Sequence, residues 1–216
     1  MRLFPNEQIG GWGYINLNTF ARGHTPAMEA ECNRLYDDPK WCNFMVRSWQ
    51  STLGLSNSYG GWLENRSTLW RKSYLDDGVG HLHLGVDFNV KAGTAVAATD
   101  WCTVIKVDDD SPLKGGWGPR VIVHQQNVGP IYLVYAHLDT SITCRDGDVL
   151  RPGQVFAQVG RLGHNGGWYE HLHVQAISIE AWEYCKYRLD ELDGYGQPNQ
   201  IEELARKFPD PLPYVM

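Results

Sequence analysis

Between Leu75 and Ile179 the chain is written in short apolar runs that leave no room for long helices. The runs "VDFNV", "TAVAAT", "CTVIKVDD", "RVIVHQQ", "IYLVYAHL", "QVFAQVG" and "HLHVQAISI" are β-branched or aromatic, and Gly, Pro, Asp and Asn separate them. That is the punctuation of strands and hairpins. The segments on either side read differently. Thr25-Pro26 supplies an N-cap and a first helical residue ahead of "AMEAECNRLYDD", and "KWCNFMVRSWQSTLG" has helical spacing and stops at Gly54. Helical spacing returns in "EAWEYCKYRLDELD" and "QIEELARKF", and the proline-rich "PDPLPYV" ends it. The expected class is α+β, dominated by an antiparallel β-sheet core, with an N-terminal helical and loop segment over 1–70, a β-rich domain over 71–179 and a helical extension with a Pro-rich tail over 180–216.

One repeat tests this reading. "GGW" occurs at Gly10, Gly60, Gly115 and Gly166, and a spacing near fifty residues with paired glycines is also that of propeller blades. The flanks "GYINL", "LENRS", "GPRVI" and "YEHLH" share nothing further, so glycine turns each pinned by a tryptophan are the better expectation. Nine Trp, eleven Tyr and 23 Gly in 216 residues fit sheets joined by tight loops. The net charge of -6 speaks against nucleic acid as the main partner, because phosphate binding needs a basic surface. An anionic membrane is disfavoured for the same reason. The longest apolar run, "IYLVYA", is too short to span a bilayer. The opening "MRLFPNEQIGGW" lacks the apolar stretch of a secretory signal. Cys32, Cys42, Cys102, Cys144 and Cys185 are odd in number and form no CxxC, a pattern of reduced thiols. The two together give the expectation of a soluble, cytoplasmic protein.

The chemistry gathers in histidines. In "EHLHVQA" a strand places His171 and His173 on one face while Leu172 and Val174 take the other and can enter the core. In "YAHL" the same alternation puts Tyr135 with His137, opposite Val134, Ala136 and Leu138. A neighbouring strand could thus bring a third imidazole to the same groove. In "GHLHLGVDF", His83 and Asp87 stand four apart, roughly 13 Å on a straight strand. That is too far for two ligands of one ion, so a shared ion requires a bend, and Gly85 is the residue type that permits one. On spacing alone Asp87 serves equally as a surface carboxylate.

The ordered set "HLGVD", "YAHL" and "HLH" resembles the three signature motifs of the lysostaphin/LytM-type zinc metallopeptidases. The spacers "KAGTAVAAT" and "RPGQVFAQVGRLG" are similar to that family's connecting segments, and the likeness runs from about Gly80 to Ser178. The resemblance implies a mostly antiparallel domain with a groove across its sheet. It implies zinc held by His83, Asp87 and His173, with His137 and His171 catalytic. The implied substrate is a peptide, either peptidoglycan stems or cross-bridges or similar short glycine- or D-amino-acid-rich peptides. Three protein ligands leave a fourth zinc position open, as catalysis requires. The chain departs from the family pattern in its first 70 residues, in the helical piece over 180–207 and in lacking a secretion signal.

Two other functions use the same residues. Some relatives in this family regulate other hydrolases without catalysis. "HLHLGVD" also resembles the first motif of a metal-dependent cupin, in which His81 would be a ligand and "GPRVIVHQQN" would supply His124, although the Pro-x-Gly turn of a second cupin motif is missing. In the peptidase reading His81 is a neighbour of the ligands or a groove-wall residue, His164 lines the groove or is solvated, and His24 and His124 are structural. The loop from Asn57 to Trp70 directly precedes His83 and either covers the groove or packs behind the sheet.

Overall fold

A computed structural model describes residues 2–7, 10–21, 38–67, 69, 81–111, 116–127, 129 and 131–216. Its centre is one eight-stranded sheet. The chain enters it through β1 (Trp12–Tyr14), followed by the short helix α1 (Leu17–Ala21) and the long helix α2 (Pro39–Thr52). Strands β2 (Asn57–Gly60), β3 (Leu82–His83), β4 (Val86–Asn89), β5 (Ala95–Ala97), β6 (Cys102–Asp109), β7 (Pro119–Gln125), β8 (Ile131–Ala136), β9 (Val149–Leu150), β10 (Val155–Gln158) and β11 (Leu172–Ile177) follow. The extension holds α3 (Ile179–Cys185), β12 (Tyr195–Gly196), α4 (Ile201–Lys207) and α5 (Leu212–Val215).

The strand order is β1-β2-β4-β11-β8-β7-β6-β9, antiparallel at every step but β1-β2. A single sheet of this order is no propeller. Strands β10 and β5 form a separate pair, as do β12 and β3. One face of the sheet is apolar throughout. Val86 and Phe88 of β4, Leu172, Val174 and Ala176 of β11, Leu133 and Tyr135 of β8 and Val121 and Val123 of β7 pack on Val96, Phe156 and Ala157 of the β5–β10 pair. Each fully buried side chain of this size contributes about 1.5–3 kcal/mol, so this face holds the sheet. On the other face Ile122, Val134, Ala136 and Ile177 meet Ala181, Trp182 and Leu192 of the extension. The centre described below lies further along that second face.

Helix α2 starts where its cap dictates. Asp38 accepts N–H bonds from Lys40 at 3.0 Å and Trp41 at 3.2 Å, Pro39 takes the first turn, and Gly54 at φ 67° turns the chain out. Cys42 and Val46 bury against Ile15, Leu17, Leu69 and Tyr169. On the same helix Gln50 reaches the carbonyl of Asn89 at 2.8 Å, clamping the end of β4. The helix expected after Thr25, with Cys32 and His24, lies outside the described residues.

The C-terminal extension corrects the sequence reading. Helical spacing predicts one helix through "EAWEYCKYRLDELD", but α3 ends at Cys185. Past it Leu192 turns inward and is buried, and the carbonyls of Leu189 and Leu192 accept bonds from Arg120 and Trp117. Tertiary partners outcompete the helix there. The "PDPLPYV" tail, whose prolines end the preceding helical spacing, itself forms α5 and buries Val215 in the main core.

Candidate metal and catalytic centre

Strand register brings the motifs together. In the β4–β11 pair His173 stands opposite Asp87, and in the β11–β8 pair it stands opposite Ala136, next to His137. The bend expected at Gly85 occurs, separating β3 from β4, so the Nε2 of His83 lies 3.2 Å from the Oδ1 of Asp87. Gly85 does more than bend. A Cβ there would fall 2.6 Å from Cε1 and Nε2 of His173 and 2.6 Å from the carbonyl oxygen of Val174, so its missing side chain is the space in which the His173 ring sits.

His83, Asp87 and His173 each offer a ligand atom, and these atoms lie within 4.8 Å of one another. The Nδ1 of His173 is 3.0 Å from both the Oδ1 of Asp87 and the Nε2 of His83. The other side of each ring is committed elsewhere. The Nδ1 of His83 faces the carbonyl of Gly61 at 3.1 Å, and the Nε2 of His173 faces the Oε1 of Gln175 at 3.3 Å. Assigned from these partners, the ring protons point outward and two imidazole lone pairs converge with a carboxylate oxygen. Three acceptors aimed at one point, with no proton between them, suit a cation, and the N, N, O donor set suits zinc. The fit therefore follows from the hydrogen bonds of this chain.

His137 and His171 stand beside this trio. The Nε2 of His171 is 3.5 Å from Asp87 Oδ1, and its ring centre is 4.6 Å from that of His137. Each Nδ1 is tied down, His171 to the carbonyl of Tyr169 at 2.9 Å and His137 to that of Asn165 at 3.1 Å. The amide of Asn165 in turn bonds the carbonyls of Trp168 and Tyr169, so one loop orients both imidazoles. Tyr169 also stacks on His171, with ring centres 4.2 Å apart. Burial is the main force holding both histidines neutral at pH 7, with His171 at about 4 and His137 well below its ordinary value. Burial followed by the Arg66 cation brings His83 to about 4. Burial alone would raise the Asp87 carboxyl, but His83, Arg66, His171 and the His173 bond outweigh it and hold the group well below the carboxylate range.

The route His137 takes to the centre corrects the alternation argument. Tyr135 does not share its face, for Tyr135 is buried in the main core together with Leu138. His137 has φ 63°, a left-handed conformation that side chains with a Cβ rarely adopt. That single turn breaks the alternation and swings the imidazole to the His171 side. Replacing His137 by glycine should therefore relieve backbone strain while removing the ring. His137→Gly is expected to keep zinc, lose turnover and be more stable than His137→Ala by about 1 kcal/mol in urea unfolding. Equal stabilities would show that the backbone there carries no strain.

The GGW turns are part of this centre. Gly61 carries the carbonyl that meets His83, Trp117 sets its ring 5.3 Å from His173, and Trp168 sets its ring 5.5 Å from His137. The last two turns lock together, since Trp168 Nε1 donates to the carbonyl of Gly116 at 2.9 Å. Only the Gly10 turn goes elsewhere among the described ones, with Trp12 stacked on Phe4. All five convergent residues are buried, the most exposed being His137 at 6%.

The remaining histidines take other places. His81 is outside the converging trio. His124, which a cupin would bring to the metal, stacks on Tyr132, and His164 lies 4.0 Å from Asp139. Sequence reasoning missed Arg66, Glu64 and the wall tryptophans. The repeated GGW was the signal for Trp117 and Trp168. For Arg66 the signal was a Glu-Asn-Arg step in a loop otherwise rich in tryptophan and leucine. No helix among the described residues is long and apolar enough to cross a membrane.

The model of Peptidase family M23 matches residues 81–182. Among solved structures the chain is similar to a single-site mutant of the catalytic domain of the prophage-encoded M23 protein EnpA from Enterococcus faecalis. That likeness has 23% identity and a TM-score of 0.38 over 46% of this chain and 71% of that one. It is also similar to the catalytic domain of the antimicrobial peptidase lysostaphin from Staphylococcus simulans, with 20% identity and a TM-score of 0.43 over 64% and 88%. A zinc-containing peptidase from Vibrio cholerae matches with 26% identity and a TM-score of 0.35 over 44% of this chain and 27% of that one. No curated protein matches the chain. The segment that the model of Peptidase family M23 matches, residues 81–182, holds all five convergent side chains, and this match together with the His83, Asp87 and His173 arrangement marks that segment as a zinc metallopeptidase domain.

Proposed function

We propose that this protein is an endopeptidase acting on peptidoglycan stems or cross-bridges, or on similar short glycine- or D-amino-acid-rich peptides, with zinc on His83, Asp87 and His173. His137 and His171 then handle protons. The observation that carries the reading is the convergence of two imidazole lone pairs and one carboxylate oxygen, flanked by two further neutral imidazoles. When bound, zinc supplies a Lewis acid for the scissile carbonyl and a water acidified to a pKa of about 7.

The chain's own residues do the rest. With Nδ1 of His137 and of His171 each donating to a backbone carbonyl, the Nε2 of each is a lone pair able to accept a proton from the attacking water. Once protonated, the same nitrogen can pass that proton to the leaving amine or donate to the developing oxyanion. His171 has Asp87 Oδ1 at 3.5 Å to stabilise its charged form. His137 stands one ring further from Asp87 and next to Trp168. Burial of the pair removes competing water and strengthens each of these interactions.

Digestion of purified peptidoglycan and of small glycyl peptides, with metal content measured on the same sample and products read by mass spectrometry, tests the reading. Cleaved stems or bridges with about one zinc per chain are expected. Zinc without cleavage of either substrate would favour a regulator of other hydrolases, and a metal-free protein that cleaves nothing would remove the reading altogether.

A further inference from the structure

We propose that Arg66 is a positioning residue of the zinc centre, and that it acts by holding Asp87 to a single ligating oxygen. This rests on the zinc reading above. It goes beyond it by placing in the site a residue that lies before the family-matched segment, which begins at residue 81.

The two oxygens of Asp87 face different ways. Oδ1 looks into the centre, 3.0 Å from His173 Nδ1, 3.2 Å from His83 Nε2 and 3.5 Å from His171 Nε2. Oδ2 accepts from Arg66 Nη1 at 2.6 Å. A free carboxylate can chelate a cation with both oxygens, whereas one whose outer oxygen is held by a guanidinium can offer only the inner one. Two histidines and a one-oxygen aspartate leave a fourth position open, and a chelating aspartate would fill it.

Arg66 is built into place rather than resting on a surface. Its side chain is 4% exposed, and Glu64, also buried, stands 3.8 Å from Nη2. Glu64 accepts from the backbone N–H of Gly61 at 2.7 Å and from that of Asn18 at 3.4 Å. The backbone of the same loop pairs with the ligand strand, since Leu63 N–H donates to the carbonyl of His83, His83 N–H to that of Glu64 and Arg66 N–H to that of His81. Gly60 leaves room for the guanidinium, because a Cβ there would come within 2.9 Å of Nη2. A buried ion pair is a poor source of stability by itself, so its retention against a metal ligand points to orientation. The loop thus serves two ligands at once, Asp87 through Arg66 and His83 through the Gly61 carbonyl.

Three variants test this: Arg66→Met, Arg66→Lys and Gly60→Ala, the last displacing the guanidinium without removing it. Zinc affinity is measured by chelator competition, the visible spectrum on the cobalt-substituted protein, and kcat and KM on whichever peptide the wild type cleaves. Arg66→Met is expected to keep zinc and to lower kcat about tenfold to a hundredfold. Its KM should stay near the wild-type value and its cobalt bands should change in position and intensity, because a second aspartate oxygen would take the place of the open fourth position. Arg66→Lys should restore part of both effects, and Gly60→Ala should fall between. Variants that lose thermal stability but keep wild-type kcat and cobalt bands would overturn the proposal. If Arg66→Met does not fold, Arg66→Lys and Gly60→Ala decide by the same readings. Wild-type protein that takes up no zinc would instead sink the reading on which this one rests.

Discussion

Alanine at position 85 is expected to strip zinc from the protein and to destabilise it by about 1–3 kcal/mol. The added methyl would stand 2.6 Å from three atoms, and one of these, the carbonyl oxygen of Val174, belongs to the backbone of β11. That backbone cannot retreat freely, because β11 is paired on both sides, to β4 and to β8. The His173 ring has to move instead, and its Nδ1 then leaves the position it shares with Asp87 and His83. Gly85 does not have a left-handed φ, so the effect would come from lost space rather than from a positive φ. Metal analysis after dialysis and urea unfolding of the Gly85→Ala protein measure both parts. Wild-type zinc content in a folded Gly85→Ala variant would show that β3 and β4 can slide apart, and would detach the role of Gly85 from the centre.

The two His-Leu-His steps are expected to respond unequally. His171→Ala should lower hydrolysis by about 10² to 10⁴ and leave zinc largely in place, because a general acid or base contributes on that scale. His171 touches the cluster only at 3.5 Å from Asp87, while its other nitrogen is spent on the carbonyl of Tyr169. His81→Ala should cost far less, about tenfold, since His81 lies outside the trio and is joined to the loop through its backbone carbonyl. Turnover and zinc content measured side by side decide between them. Zinc lost from His81→Ala, with His171→Ala still active, would reverse the two steps and remove His171 from the chemistry.

How far these residues were legible in the sequence varies with the physics behind each. Alternation along β11 puts His171 and His173 together correctly because that strand is regular and its Leu172 and Val174 are wholly buried. Alternation along β8 gives His137 the right destination for the wrong reason, since the pattern cannot show the left-handed turn that takes it from the Tyr135 side. The bend at Gly85 was readable from the reach of two ligands, but the contact with His173 depends on a partner far along the chain. Helical spacing beyond Cys185 was misleading because Leu189 and Leu192 satisfy both a helix and the tertiary contacts that replace it. Arg66 shows the general limit. A charged residue in a loop reads as solvated until the fold buries it against Asp87.

The register opposing His173 to Asp87 and to Ala136 also orders the events of folding. Asp87 and His173 are 86 residues apart, so the donors meet only after long stretches of chain have been closed into loops, a slow step for sheet proteins. A slip of one residue in the β4–β11 pair would set Leu172 or Val174 opposite Asp87 and turn the imidazole toward the apolar layer. Zinc can therefore be captured only by a chain whose central pairings are already right. Uptake of the ion during refolding becomes a clock for that event, and misregistered chains are left without the added stability that the metal gives to correctly paired ones.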